Sequence, residues 1–227
     1  MKFNEEEFLM NPSPRIPVCL VLDTSYSMNS RSRNGKSAIE ELNEGVKSFF
    51  NQIKSDEVAK ASLELSVIGC GGTEGKTLLD FNSIEHQSVP NLLASGLTPM
   101  GSSLEKALKI LKDRKNIYKE MGISYYQPWL IMMTDGEPTD DYRNVVKELK
   151  ADVQNNNLTM FSIGVGNNVN KEKLKFISPT NEIFNLKGLE FMNFFNWLSE
   201  SVSRVSESTP GEAINIKEKF ESWGTLS

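Results

Sequence analysis

Histidine and cysteine are scarce in this sequence. Among 227 residues there is one histidine, His86, and there are two cysteines, Cys19 and Cys70. A single imidazole makes Ser-His-Asp or Cys-His catalysis a poor fit, because one residue would have to carry the role alone. Zinc fits no better, since Cys and His do not cluster. Both cysteines sit in apolar, strand-like runs and read as reduced core thiols rather than as a disulfide, so the expected compartment is cytoplasmic. Long hydrophobic runs are missing too: none approaches the roughly 18 residues that a membrane span needs. The opening MKFNEEEFLMNPSPRIP is acidic and broken by three prolines, unlike a signal peptide. Basic excess is also absent. The formal net charge is −5, so no global field attracts nucleic acid or anionic lipid. Arg31, Arg33 and Lys36 form a local basic group that reads as solvated surface.

What is present is ordinary soluble composition, 38% hydrophobic and 24% charged, at a length that suits one large domain or a domain plus a tail. Pro17 to Leu22 is a continuous apolar run, as in a strand covered on both faces. Lys36 to Ile53 has helical apolar spacing through Ile39, Leu42, Val46, Phe49, Phe50 and Ile53. Leu63 to Cys70 alternates as a strand. GGTEG then breaks the chain, and Lys76 to Phe81 returns as an antiparallel edge strand. Ser102 with Glu105 predicts a capping box for a helix striped by Leu104, Leu108 and Leu111. Pro128 to Met133 is a buried strand running into TDGEPTDD, after which Thr139 or Asp140 starts a helix. A strand at Leu158 to Gly164, a helix at Lys171 to Ile177, a short strand at Ile183 to Leu186 and an aromatic helix from Leu189 to Val205 complete the order. The alternation predicts an α/β fold: a doubly wound, mostly parallel central sheet with one antiparallel edge strand and helices on both faces. The expected division is an N-terminal extension over 1–14, the domain over 15–206 and a loosely held tail over 207–227, in which Trp223 docks either on the domain or on a partner.

In such sheets ligands gather at the carboxyl ends of strands, at a topological switch point. Asp23 ends the first strand there and Asp135 ends the fourth. In VCLVLDTSYSM, Asp23, Ser25 and Ser27 alternate, so an extended turn would aim all three side chains one way. Thr98 sits in a separate loop just before a helix. The set comprises two carboxylates and three hydroxyls, all hard oxygen donors, which suits an octahedral Mg²⁺ or Mn²⁺. Few formal charges would surround the ion, and a position would remain for water or an outside carboxylate.

DTSYS, the loop threonine in SGLTPMGSSL and the MMTDGEPTD segment together resemble the metal-ion-dependent adhesion site of von Willebrand factor A domains, and the likeness spans nearly the whole chain. RIPVCLVLDTSYSM, TPMGSSLEKAL, LIMMTDGEPTDDY and FSIGVG most resemble the bacterial TerY-like branch associated with tellurium resistance. The resemblance implies that Ser25 and Ser27 coordinate directly and that Asp23 and Asp135 act directly or through water. Thr98 would alternate between the two modes. A partner's Asp or Glu would take the sixth position, with Tyr26, Met28, Pro99 and Glu137 as the partner-binding rim. Tyr26 departs from the glycine that many relatives carry there. The implied partner context is a kinase or phosphatase of the same operon, with neither nucleic acid nor membrane.

Other stretches read plainly. GCGGTEGK lacks phosphate-loop spacing and precedes a strand, so it is a hairpin turn, and GVGNN is a turn. FMNFFNWL has the spacing of a helix packed on the sheet. Asp140 and Asp141 read as helix caps, Glu137 as a solvated side chain, and His86 as a surface loop residue. Three functions compete: a non-enzymatic, metal-dependent interaction module; a Mg²⁺-dependent phosphoester hydrolase, which lacks an evident general base; and a scaffold whose ion only stabilises.

Overall fold

The computed structural model describes residues 11–31, 35–166, 169–212 and 220–227. Of the basic group, Arg33 lies outside them. Seven strands form one sheet: β1 (Ile16–Asp23), β2 (Leu63–Cys70), β3 (Lys76–Ser83), β4 (Trp129–Thr134), β5 (Thr159–Gly164), β6 (Phe184–Leu186) and β7 (Gly224–Leu226), in the order β3-β2-β1-β4-β5-β6-β7. The five central strands run parallel, while β3 and β7 are antiparallel at the two edges. One antiparallel edge was expected from the sequence, and the structure has two.

β1 shows why its run is apolar throughout. Val18, Leu20 and Leu22 enter one core layer, whereas Cys19 and Val21 enter the other. Helices α1 (Ala38–Ser55), α2 (Glu57–Ser62) and α6 (Phe191–Ser206) cover the first face. α3 (Met100–Met121), α4 (Arg143–Gln154) and α5 (Lys171–Ile177) cover the second. α1 begins at a capping box: Ser37 accepts from the Glu40 amide while the Glu40 carboxylate accepts from the Ser37 amide. α1 and α6 approach closely at Gly45, where a Cβ would lie 2.6 Å from a ring carbon of Phe195. The aromatic run of α6 is core as expected, with Phe191, Phe194, Phe195, Trp197 and Leu198 all buried. Cys19 and Cys70 are free and buried, and burial pushes both thiols up, that of Cys70 to about 12.

Three local expectations need correction. α3 starts at Met100, not after Ser102, and Ser102 Oγ instead accepts from the Gly75 amide and donates to the Pro99 carbonyl. α4 starts at Arg143 rather than at Thr139 or Asp140. Asp141 accepts from the Arg143 amide at that start, but Asp140 is turned away toward α3. The end of the supposed loose tail is docked. Trp223 is fully buried against Phe184, Phe194 and Trp197, and Gly224–Leu226 pair with β6. A large indole gains several kcal/mol of burial, on the order of 3–5 by truncation, which explains why polar neighbours did not keep this segment in solvent. Among the described residues, no helix is long and apolar enough to cross a membrane.

Candidate metal-binding site

The strand order reverses between β1 and β4, which pair in parallel from Val18↔Trp129 to Leu22↔Met133. Their carboxyl ends therefore open into the crevice where this class of sheet binds ligands. Asp23 closes β1 and Thr134 closes β4, so Asp135 leaves the sheet beside Asp23.

The DTSYS turn is built by Asp23 itself. Its Oδ1 accepts from the Ser25 amide at 2.8 Å, and its Oδ2 accepts from Thr134 Oγ1 at 2.6 Å. Ser25 remains extended, but Tyr26–Asn29 curl into a 3-10 turn. An uninterrupted extended turn was expected. The hydroxyls converge all the same, because the curl brings Ser27 Oγ to 2.9 Å from Ser25 Oγ and lets it donate to Asp135 Oδ1 at 2.7 Å. Thr98 is buried at the mouth of the α3 loop. Gly136 reveals where the groups meet. A Cβ at that position would sit 3.3 Å from Thr98 Oγ1, 3.9 Å from Ser27 Oγ and 4.0 Å from Asp23 Oδ2. The loop after β4 thus needs glycine to leave that space open.

All five expected ligands are brought together. The electrostatics are unusual for a buried group: among the described residues, no Lys or Arg is within ion-pair distance of Asp23 or Asp135. Burial pushes the Asp135 carboxyl up to about 6, aided by the negative charge of Asp23 and opposed by the Ser27 hydroxyl. Two carboxylates held together with neutral hydroxyl oxygens beside them suit a hard divalent cation. Adjacent ligands of an octahedral Mg²⁺ with bonds of about 2.0–2.1 Å stand roughly 2.9 Å apart, and the two serine oxygens already have that separation. No group of three or more carboxylate, imidazole or thiol side chains is arranged to hold a metal among the described residues. The donor set is therefore the hydroxyl-rich kind.

The rim differs from expectation. Tyr26 is 72% exposed beside the cradle, as expected of a contact residue. Met28 is only 1% exposed and Pro99 is buried at the α3 start, so neither offers a partner a surface; the 3-10 turn rolls Met28 into the core. Glu137 is exposed but engaged. Asn170 donates to it and Lys173 pairs with it from α5, and the Lys173 hydrogen bond holds its carboxyl below the ordinary range. Leu93 and Leu97, 72% and 61% exposed, lie in the neighbouring irregular loop, where periodicity could not flag them. The loop is fastened to the DTSYS turn: the Tyr26 amide donates to the Gly96 carbonyl at 3.0 Å and the Ser95 amide to the Thr24 carbonyl at 2.8 Å. Thr134 and Gly136 were also missed as site residues. Their signal was the TDG tripeptide itself, in which Thr134 orients Asp23 and Gly136 keeps the cradle clear.

Comparison with known proteins identifies one family whose sequence pattern matches, the von Willebrand factor type A domain, over residues 18–196. No curated protein matches the chain. Several solved structures share its fold. The pilus adhesin SpaC of Lactobacillus rhamnosus GG superposes with a TM-score of 0.65 at 13% identity, over 85% of this chain and 31% of its own. The von Willebrand factor domain of the type V pilus tip protein Mfa5 of Porphyromonas gingivalis gives 0.59 at 12% identity, over 89% and 99%. Proximal thread matrix protein 1 of the mussel byssus gives 0.54 at 17% identity over 84% of this chain, which spans 48% of that protein's length. At these identities the likeness is one of fold.

Proposed function

The chain belongs to the von Willebrand factor type A domain family, whose members commonly mediate metal-dependent protein interactions, and we propose that it grips an acidic side chain of a protein partner through a Mg²⁺ or Mn²⁺. One observation carries this reading: Asp23, Ser25, Ser27, Thr98 and Asp135 converge at the switch point, the serine hydroxyls 2.9 Å apart and Ser27 bonded to Asp135. When bound, the ion would supply positive charge and an open coordination position for a partner carboxylate. The protein's own residues do the rest. Ser25, Ser27 and Thr98 would present neutral oxygens, so the charge on the ion stays incompletely neutralised. Thr134 holds Asp23 in its orientation. Tyr26, Leu93 and Leu97 supply an exposed apolar flank, which favours a partner whose acidic residue has bulky apolar neighbours.

The family-typical segments TPMGSSLEKAL and LIMMTDGEPTDDY support a place in the TerY-like, tellurium-resistance-associated branch, with a kinase or phosphatase of the same operon as partner and a cytoplasmic setting. The alternative is a Mg²⁺-dependent phosphoester hydrolase, which needs a general base beside the ion; a phosphatase assay on the purified chain, with Asp135→Ala as control, separates the two readings.

The test is calorimetric titration of Mn²⁺, followed by partner capture in Mg²⁺ and in chelator. Binding in the wild type that is lost in Asp23→Ala and Ser25→Ala supports the proposal. Equal partner capture in chelator rejects it.

A further inference from the structure

The backbone bonds of the loops around the cradle form two blocks, which the Ser27–Asp135 and Thr134–Asp23 side-chain bonds join across the cradle. The first joins the DTSYS turn to the end of β2 and to the 93–97 loop. The Thr24 amide donates to the Cys70 carbonyl at 3.0 Å, Gly72 to Ser95 at 2.9 Å and Leu97 to Gly72 at 3.1 Å, beside the Tyr26 and Ser95 bonds described above. The second joins the start of α3 to the loop after β4. The Thr139 amide donates to the Thr98 carbonyl at 3.0 Å. Asp140 Oδ1 accepts from the Gly101 amide and Oδ2 from the Ser102 amide, both at 2.8 Å. The contact is close-packed, since a Cβ on Gly101 would lie 2.2 Å from the Asp141 carbonyl oxygen. The chain crosses from one block to the other between Leu97 and Thr98. Asp23, Ser25 and Ser27 ride on the first block, whereas Thr98 and Asp135 ride on the second.

We propose that Asp140 is the positioning residue that makes Thr98 and Asp135 a single ligand unit. This rests on the ion-binding reading above and names the residue on which its geometry depends. Among the described residues, Asp140 makes no hydrogen bond to a cradle oxygen. It acts by satisfying two amides that α3 leaves open at its first turn, where the helix also favours negative charge. The first turn of α3, and Thr98 just before it, is thereby held at a fixed distance from Asp135, five residues before Asp140 on the same loop. Pro99 at the cap position makes no side-chain cap bond, so these two amides are met from the loop after β4.

The experiment is a double-mutant cycle read by Mn²⁺ calorimetry on the full chain, with Asp140→Asn and Thr98→Ala singly and together. Asp141→Asn serves as the control, because Asp141 bonds only to Arg143 among the described residues. Residues that orient metal ligands through a second contact change affinity by roughly 10- to 100-fold. Asp140→Asn should weaken Mn²⁺ binding by about tenfold in the native background. In the Thr98→Ala background its effect should shrink to about twofold or less, because both changes act through one ligand. A general loss of stability would weaken binding by the same factor in both backgrounds, and that result overturns the proposal, as does unchanged affinity in the single variant. Amide exchange of Gly101 and Ser102 in metal-free protein should quicken in Asp140→Asn and not in Asp141→Asn; unchanged exchange also overturns it. A wild-type chain that takes up no Mn²⁺ overturns the ion reading and this proposal together, whereas wild-type binding with an additive cycle overturns this proposal alone.

Discussion

Two polar clusters lie at opposite ends of the same sheet, and they are built on opposite plans. Where β2 begins, Glu64 is buried with its countercharges. Arg15 Nε stands 3.3 Å from Oε1, Arg114 Nε stands 2.5 Å from Oε2, and the Tyr118 hydroxyl donates to Oε2 as well. Where β1 and β4 end, Asp23 and Asp135 are met by neutral donors, the Ser25 amide and the Thr134 and Ser27 hydroxyls. A buried carboxylate costs several kcal/mol unless it is paired. The first cluster meets that cost within the chain. The second meets it with uncharged donors, and Asp135 is only half-buried.

The largest effect should come from breaking the complete cluster. Glu64→Ala removes the buried carboxylate that Arg15 and Arg114 both face and should cost about 3–5 kcal/mol in urea denaturation. Asp135→Asn should do the reverse in metal-free protein. It removes one of two facing carboxylates and should raise the denaturation midpoint while abolishing Mn²⁺ binding. If both variants destabilise equally, the contrast between the clusters is wrong.

Next in size is the response to the ion. A ligand that binds only the folded state at a hundredfold excess over its Kd contributes about 2.7 kcal/mol. Saturating Mn²⁺ should therefore raise the melting temperature of the wild type and of a milder cluster variant, Tyr118→Phe, but not that of Asp23→Asn. A thermal shift series with and without chelator checks this.

Gly136→Ala is a smaller and more local probe. Its Cβ would enter the space between Thr98 Oγ1 and Ser27 Oγ. Affinity for Mn²⁺ should fall by about tenfold, or 1.4 kcal/mol, with little change in the urea midpoint. Unchanged affinity would mean that the cradle lies elsewhere.

The smallest effect tests a third carboxylate, Asp56, whose donors are complete. The Ser203 hydroxyl on α6 and the amides of Val58 and Ala59 hold its carboxyl below the ordinary range, the Ser203 bond contributing most. A depressed pKa contributes stability that is present above the unfolded value, about 3.9, and lost as pH falls through the folded value. Urea midpoints should therefore decline below about pH 4, and Asp56→Asn should flatten that part of the decline.

Much of this was legible in the residues. The alternating runs fixed strand and helix identity because burial on two faces demands uniform apolarity in β1, β2 and β4 and a single apolar stripe in α1. The five cradle residues were legible because hard oxygen donors at the ends of parallel strands have few other reasons to gather. Boundaries at Ser102 and at Thr139 were not legible. Local capping logic assigns a cap to the nearest helix, whereas Asp140 caps α3 from 38 residues away along the chain. The docking of Trp223 was left open for the same reason, since its socket is made of Phe184, Phe194 and Trp197 from distant elements.

The sequence by itself determined the order of elements and the chemistry available at the strand ends, because periodicity and donor type are properties of neighbouring residues. Tertiary structure alone decided which side chains face one another. It buried Met28 and Pro99, left Leu93 and Leu97 in solvent and tied Asp140 to α3. Such pairings depend on three-dimensional distance between segments far apart in the chain, and no local pattern of residues encodes that distance.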